Sequence, residues 1–248
     1  MNTELFSLAI AAALRIPTSG IGTLAEKKIH ATLKYYVQPD KDKHEIKFNG
    51  GVADALSEDG VYEIQSKCFY RLAKKLEILL NGGTVTVVYP IVAEKILYLT
   101  DIETGETTIK KSPKRGSVYD VFPELYGIRQ FIASEKFRLR LITVKAEERK
   151  TVRLRVSKKG RKTSKTISSE IIPTELLDDV TLKMPNDFLK IIPNGLCDTF
   201  TSLDFARACK IHRSLSQSAL LILSDLNVVE RIGKKGNAYV YKITVNTE

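Results

Sequence analysis

The first ninety residues switch between helical and extended spacing of their apolar positions. An apolar run at 5–14 precedes a helical stripe that opens at Thr23, where Thr23-x-x-Glu26 has the spacing of a capping box, and that ends before Pro39. Three short strand segments follow at 44–48, 52–56 and 61–67, separated by the turn sequences Asn-Gly-Gly and Ser-Glu-Asp-Gly. A second helical stripe after residue 68 leads to TVTVVYPI, which is apolar on both sides. The pattern predicts an α/β fold with a mixed central sheet.

The second half of the chain predicts two hairpins and a compact helical unit. KILYLTDIETGETTIKK turns at Thr104 and Gly105, SPKRG is a basic loop, and TVRLRVSKKGRKTSKTISSEII predicts a hairpin arm with Arg153 and Arg155 on one face. Short helices at 187–192, 202–209 and 214–226 precede two strands around Gly-Lys-Lys-Gly-Asn. We expect one domain over residues 1–170 and a second over 171–248.

Composition indicates an intracellular, cytoplasmic protein. With 248 residues and 43% hydrophobic content, the chain can bury one large core or two ordinary ones. Its three cysteines have no disulfide-framework or zinc spacing. The run at 5–14 is shorter than the roughly 20 residues of a membrane span and follows Glu4, so it predicts a buried helix rather than a signal peptide.

Positive charge is concentrated in one part of the chain. The formal net charge is +10, and residues 105–165 hold 18 Lys and Arg against 6 Asp and Glu. We expect Lys158, Lys159, Arg161 and Lys162 at the arm's tip, with Arg153 and Arg155 behind them, to follow a phosphate backbone. Neutralising about eight phosphates gives a log–log salt slope near −7, or roughly 10⁴ in affinity between 50 and 200 mM salt. The alternative is a solubilising loop.

A cluster of polar residues interrupts the strand segments. In DALSEDGVYEIQSK, strand alternation places Glu63, Gln65 and Lys67 on one face, and antiparallel pairing of 52–56 with 61–67 brings Asp54 near Glu63. Two carboxylates about 4 Å apart repel by roughly 4 kcal/mol at an effective dielectric near 20. A divalent cation compensates this repulsion and activates water for phosphodiester hydrolysis. The alternative is a charged strand facing solvent.

Residues 24–91 resemble the PD-(D/E)xK nuclease superfamily, which includes restriction endonucleases and Holliday-junction resolvases. The resemblance implies that Glu26, Asp54 and Glu63-x-Gln65 surround Mg²⁺ or Mn²⁺. Gln65 departs from the usual lysine, and Lys67 is a candidate to supply the positive charge from a shifted position. Glu26 is equally suited to capping, and His30, one turn further on, suits either the site or a buried helical position. Tyr70 and Arg71 are candidates for phosphate contact.

Residues 200–243 resemble the winged helix-turn-helix family. The resemblance implies that the second helix of the motif enters the DNA major groove through its N-terminal end. The residues concerned are Arg213, Ser214, Ser216 and Gln217, with Lys234 and Lys235 at the wing tip. Many winged helices bind protein instead, and the basic arm favours DNA here.

Together these patterns predict a Mg²⁺-dependent DNA endonuclease without a membrane partner, and a homodimer if both strands are cut. A DNA-binding regulator or structural protein with a degenerate nuclease-like domain is the alternative from another class. A nuclease for structured RNA ranks last, because no aromatic platform for stacking bases is evident in the sequence.

Overall fold

The structure, a computed structural model, describes residues 1–16, 24–156 and 162–244, with side chains throughout except at 24–27, 154–156 and 162–164. The α-helices are α1 Thr3–Leu14, α2 Leu24–Val37, α3 Ala73–Gly82, α4 Phe122–Leu125, α5 Arg129–Ile132, α6 Ser202–Cys209 and α7 Arg213–Asp225. The 3-10 helices are η1 Lys41–Lys43, η2 Phe69–Leu72, η3 Val118–Val121, η4 Tyr126–Ile128 and η5 Pro185–Ile191. The strands are β1 His44–Phe48, β2 Gly51–Ser57, β3 Gly60–Ile64, β4 Val85–Asp101, β5 Thr107–Lys111, β6 Phe137–Val156, β7 Lys162–Leu182, β8 Thr199–Thr201, β9 Val229–Lys235 and β10 Ala238–Ile243.

A mixed sheet with the order β1-β2-β3-β4-β6-β7 forms the centre of the fold, and β5 pairs with β4. The first three strands are an antiparallel meander, as their turn sequences predict. β4 runs parallel to β3 and to β6, whereas β7 returns antiparallel to β6. The predicted α/β class with a mixed sheet flanked by helices is therefore confirmed.

The two faces of the sheet are covered by different helices. One face is covered by α1 and α2. Leu33 and Tyr36 of α2 pack there against Tyr62, Ile64 and Val88. On the other face, α3 packs leucines at helical spacing against alternate residues of the parallel strands. The residues of this second contact are Leu76, Leu79, Leu80, Val61, Val85, Val87 and Leu139. Because β3 and β4 are covered on both faces, their polar residues are held in a dry environment.

Helix α1 is a partly buried helix, with Phe6, Ala9 and Ala13 against the core and Leu8 exposed. Its C-terminal end is closed by the buried Lys28 of α2, whose Nζ donates to the carbonyls of Ala13 at 3.1 Å and Ile16 at 2.7 Å. Across the described ranges, every helix is too short or too polar to cross a membrane.

The strands β4, β6 and β7 are 17, 20 and 21 residues long. Beyond the core that the helices cover, they continue as an arm. β5 joins the arm by pairing with residues 96–100 of β4, so the predicted hairpin at Thr104 and Gly105 is present. The predicted β6–β7 hairpin is also present, and its tip at 157–161 lies outside the described residues. The arm continues past the C-terminal end of β3. It therefore projects from the end of the sheet at which Glu63 and Gln65 lie.

The C-terminal segment packs on the α3 face of the sheet. Its strands form a small sheet in the order β8-β10-β9, and Thr201 caps the N-terminal end of α6. Phe205 of α6 meets Tyr119 of η3 edge-on at 5.6 Å, and the Tyr119 hydroxyl donates to the Ile191 carbonyl. The proposed boundary between residues 170 and 171 lies within β7, and apolar contacts run continuously from α3 to α7.

Candidate functional site

Asp54 lies where β2 and β3 separate. The β2–β3 pairing in the structure extends only from Ser57↔Gly60 to Ala55↔Tyr62. The next backbone donor of β3, the N–H of Ile64, donates at 2.7 Å to Oδ2 of Asp54 instead of to a strand carbonyl. The carboxylate thus replaces a ladder partner, which satisfies the buried N–H and holds Asp54 beside β3.

His30 of α2 contacts the same carboxylate. Its Nε2 is 3.2 Å from Asp54 Oδ2. Burial by itself raises the pKa of Asp54, but the contact with His30, the Ile64 N–H and the charge of Lys75 outweigh burial and hold the pKa below the ordinary 3.8. Asp54 is therefore ionised at neutral pH.

Glu63 lies beside α3 and is only 2% exposed. Its Oε2 accepts from Lys75 Nζ of α3 at 2.7 Å, whereas its buried Oε1 has no hydrogen-bond partner. Burial and the charge of Asp54 raise the pKa of Glu63 to about 7 despite Lys75. The two carboxyl groups thus influence each other electrostatically, and Glu63 exchanges its proton near neutral pH.

The predicted single face of Glu63, Gln65 and Lys67 is wrong. β3 ends at Ile64, and although the Gln65 N–H still donates to Val88 O, the chain then bends towards Cys68, whose φ of 61° is left-handed. The Gln65 side chain donates to the Lys67 carbonyl at 2.6 Å. Strand alternation ceases once the ladder ends, so Lys67 is not aligned with Glu63.

Lys75 provides the cation beside Glu63 that Gln65 does not. It was missed because it belongs to the next helix and no local spacing relates it to Glu63. The only sequence signal is that α3 must cross back over the sheet to make β4 parallel to β3, which brings its first turn above the end of β3.

A cavity of about 250 Å³ lies on the α2 side of this strand end. Its lining residues are Ile29, His30, Ile64, Gln65, Ser66 and Pro90. The side chain of Glu26 lies outside the described residues. In the part of the chain with described side chains, no three His, Cys, Asp or Glu residues form a ready metal-binding group. The described cluster therefore consists of two carboxylates, each with its own basic partner.

The basic arm is more balanced than the sequence count indicates. Arg153 is exposed and lies 3.6 Å from Glu103, while Lys111 and Arg115 both contact Glu94. These carboxylates precede the block that was counted, and strand pairing brings them to it. Further pairs in the arm are Lys145–Glu175, Arg149–Glu147, Lys95–Glu148 and Lys150–Glu148. The excess of positive charge counted over residues 105–165 is therefore largely balanced in the described part of the arm.

The tip residues of the arm fall outside this description. The side chains of Arg155, Lys158, Lys159, Arg161 and Lys162 lie outside the described residues, and their predicted contact with phosphate stays a prediction.

Most of the residues predicted to contact DNA in the C-terminal unit are exposed. Arg213, Ser214 and Gln217 lie at the accessible N-terminal end of α7, and Lys234 and Lys235 are exposed at the end of β9. Next to these lysines, the guanidinium of Arg231 stacks on the Tyr239 ring at 3.6 Å.

Ser216 does not join this exposed group. It is fully buried, and its hydroxyl donates to the carbonyls of Ser202 at 2.6 Å and Arg213 at 2.8 Å. Its predicted contact with DNA is wrong, because the hydroxyl links α6 to α7.

The fold and the site define an α/β protein with a mixed sheet and a carboxylate pair at the end of β3, with Glu63 buried and Asp54 partly buried. The chain belongs to the family described as Domain of unknown function (DUF8091), whose sequence model matches residues 27–183, more than half of the chain. An uncharacterized protein of Treponema pallidum (strain Nichols) is 29% identical over 128 residues, which is 51% of this chain and 51% of that protein. The chain thus spans about half the length of this curated relative. No solved structure matches the chain.

Proposed function

We propose that the protein is a divalent-metal-dependent DNA endonuclease whose centre is Asp54 and Glu63. The observation that carries the proposal is the buried Oε1 of Glu63, which has no hydrogen-bond partner and belongs to a carboxyl group within electrostatic reach of ionised Asp54. A buried polar atom without a partner is rare in folded proteins because it loses its hydration without replacement. An ion ligated by oxygen atoms removes this deficit.

The residues present fit Mg²⁺ or Mn²⁺. Asp54 and Glu63 would hold the ion through carboxylate oxygens, and Glu26 is a further ligand by the resemblance of residues 24–91 to PD-(D/E)xK nucleases. When bound, the ion polarises a phosphoryl oxygen and lowers the pKa of water.

The neighbouring residues prepare the two carboxylates. His30 and the Ile64 N–H keep Asp54 ionised and fixed in position. The pKa of Glu63, about 7, means that an ion competes with a proton for this carboxylate near neutral pH. Lys75 brings positive charge to Glu63 from α3, in the place of the lysine that Gln65 replaces.

The topology also supports the proposal. The order helix, antiparallel meander, helix and parallel strand is that of the nuclease superfamily, and Asp54 and Glu63 lie on the two strands that carry its acidic residues. The order β8, α6, α7, β9, β10 and the small three-stranded sheet support a winged helix that positions the protein on DNA. By its sequence, the tip of the arm at 158–162 adds a second basic element.

A DNA-binding protein that does not cleave is the second candidate. The pairs Lys75–Glu63 and His30–Asp54 favour it, because each carboxylate already has a basic partner without a metal ion. The compensation expected from a divalent ion is in this structure supplied by side chains. Gln65, which carries no charge, points in the same direction.

Incubation with supercoiled plasmid and with branched duplexes separates the two candidates. We expect nicked or linear products with Mg²⁺ or Mn²⁺ and none with EDTA. Salt-sensitive binding to both substrates without products under any metal condition refutes the endonuclease and supports the DNA-binding protein.

Lys75→Met is expected to lower the cleavage rate about 10²-fold and to shift the rising limb of its pH profile upwards. Loss of the cation removes a contact that lowers the pKa of Glu63. Cleavage rates measured from pH 6 to pH 9 check both effects, with the exposed neighbour Lys74 changed to Met as the matched control. A Lys75→Met profile that coincides with that of the control contradicts the assigned role.

Removing Lys234 and Lys235 together is expected to weaken binding to all DNA sequences alike. Each lost phosphate contact reduces the magnitude of the log–log salt slope by about 1, so the double alanine variant is expected to lose about 2. Fluorescence anisotropy over a range of salt concentrations measures the slope. Lys41→Ala/Lys43→Ala in η1, which removes two exposed lysines before the edge strand β1, is the control, and equal slopes for the two variants would exclude the wing from the interface.

A further inference from the structure

Two exposed tyrosines lie on one surface beside the candidate site. Tyr70 in η2 is 59% exposed and Tyr126 in η4 is 55% exposed. They are distant in sequence, but a Cβ atom added at Gly127 would lie 2.7 Å from the backbone nitrogen of Tyr70. Glycine at 127 therefore lets η2 and η4 meet backbone to backbone, and the two rings project from adjoining turns.

Each ring is accompanied by an arginine. The guanidinium carbon of Arg71 is 5.5 Å from the centre of the Tyr70 ring, and that of Arg129 is 5.3 Å from the centre of the Tyr126 ring. Arg71 Nε also donates to the Tyr70 hydroxyl at 3.0 Å. Exposed aromatic faces beside guanidinium groups are suited to unpaired bases, which stack on the rings while the arginines meet the phosphates. Arg129 would exchange its exposed contact with Asp225, at 3.9 Å, for a phosphate.

This surface adjoins the carboxylates. η2 is followed directly by α3, so Arg71 precedes Lys75 by four residues, about one helical turn, and Lys75 Nζ contacts Glu63. A strand whose bases stack on Tyr70 and Tyr126 would therefore extend over the first turn of α3 towards Lys75, the partner of Glu63. Duplex DNA offers no free base faces to these rings except at its ends.

We propose that Tyr70, Arg71, Tyr126 and Arg129 form a stacking platform for unpaired bases, and that the protein acts on DNA with a single-stranded segment next to a duplex. The choice of substrate rests on the proposed endonuclease, whereas binding by the platform does not. The platform is not evident in the sequence, because Tyr70 and Tyr126 are distant in the chain and come together where η2 and η4 approach each other at Gly127.

Binding is tested in EDTA, where no cleavage takes place. The probes are a blunt duplex and the same duplex with a short single-stranded tail that contains 2-aminopurine. We expect the wild-type protein to bind the tailed duplex about tenfold more tightly and to quench the 2-aminopurine fluorescence. Tyr70→Ala/Tyr126→Ala is expected to lose both effects, and Tyr70→Phe/Tyr126→Phe, which keeps the ring faces, is expected to retain them.

Several results would overturn the platform. Equal wild-type affinity for the two duplexes would do so, as would a preference that survives in the alanine variant with its thermal unfolding unchanged. Tighter binding of a tailed RNA duplex would overturn the assignment to DNA. Plasmid cleavage with Mg²⁺ is measured in parallel: cleavage without tail preference refutes only the platform, and tail preference without cleavage refutes only the endonuclease.

Discussion

Asp54→Asn and Glu63→Gln are each expected to reduce Mg²⁺-dependent cleavage of plasmid DNA by about 10³-fold or more. A metal ion stabilises the charge of the transition state by several kcal/mol, and loss of about 4 kcal/mol corresponds to about 10³ in rate. Both substitutions replace an oxygen ligand with an amide of the same shape, so the volume of the side chain is kept. Initial rates of nicking at saturating Mg²⁺ measure the effect.

The controls for these variants come from the turn between β2 and β3. Glu58→Gln and Asp59→Asn remove exposed carboxylates from the same meander, and both are expected to cleave at the wild-type rate. DNA binding in EDTA is expected to be unchanged or slightly stronger for Asp54→Asn, because the substitution removes a negative charge near phosphate. An Asp54→Asn protein that cleaves as fast as the Asp59→Asn control would end the proposal that this carboxylate takes part in the reaction.

Glu63→Gln is also expected to stabilise the metal-free protein at alkaline pH by about 3 kcal/mol. Burial and Asp54 raise the pKa of Glu63 from 4.5 to about 7, so the folded protein holds a proton that the unfolded chain releases. This rise in the pKa of Glu63 corresponds to about 3 kcal/mol of lost stability at a pH at which Glu63 is ionised in both the folded and the unfolded protein. Glutamine carries no charge and avoids this loss.

The direction of the pH dependence follows from the sign of that shift. Below pH 4.5 the carboxyl group is protonated in both states and the substitution has little effect. The advantage of glutamine grows between pH 4.5 and about 7 and is complete above pH 7. Urea denaturation in EDTA at pH 4, 6 and 8 measures it as the difference between variant and wild type. Glu58→Gln is the control and is expected to show a difference near zero at each pH.

Metal binding is expected to reverse the order of stability. An ion at a concentration of about 1,000 times its dissociation constant stabilises the folded state by about 4.1 kcal/mol, which exceeds the advantage of glutamine, and only the protein with both carboxylates gains this fully. If Glu63→Gln changes the free energy of unfolding equally at pH 4 and pH 8, the pKa of Glu63 is not raised in the folded protein. That result, with unchanged unfolding in Mg²⁺, would favour the DNA-binding protein without cleavage.

Elements whose signals are local in sequence are where the sequence predicts them. The meander follows from two turn sequences and from alternation, and α6 follows from its Thr201 cap. The end of β3 was misplaced, because it depends on the capture of the Ile64 N–H by Asp54, a side chain from another strand. Ile64 is followed by three polar residues, Gln65, Ser66 and Lys67, and none of them identifies Asp54 as the partner of the Ile64 N–H.

The charge balance of the arm and the burial of Ser216 also differ from what the sequence predicts. Both depend on contacts between residues that are distant in sequence. The count over residues 105–165 misses Glu94, Glu103 and Glu175, which strand pairing places beside arm lysines and arginines. Ser216 has the same composition signal as its exposed neighbours Ser214 and Gln217, but packing of α7 on α6 buries it. A linear window records which side chains are near in sequence, whereas charge balance and access depend on which are near in space.

The sequence by itself determined the α/β class, the meander, the paired helices of the C-terminal unit and the acidic positions of the candidate site, because hydrophobic period, caps and turns act over a few residues. Only the tertiary structure decided the electrostatic state of that site. Lys75 reaches Glu63 and His30 reaches Asp54 from helices on opposite faces of the sheet. Burial raises the pKa of both carboxyl groups, but the contacts with His30 and the Ile64 N–H outweigh it at Asp54 and burial prevails at Glu63, which separates two carboxylates that look equivalent in the sequence.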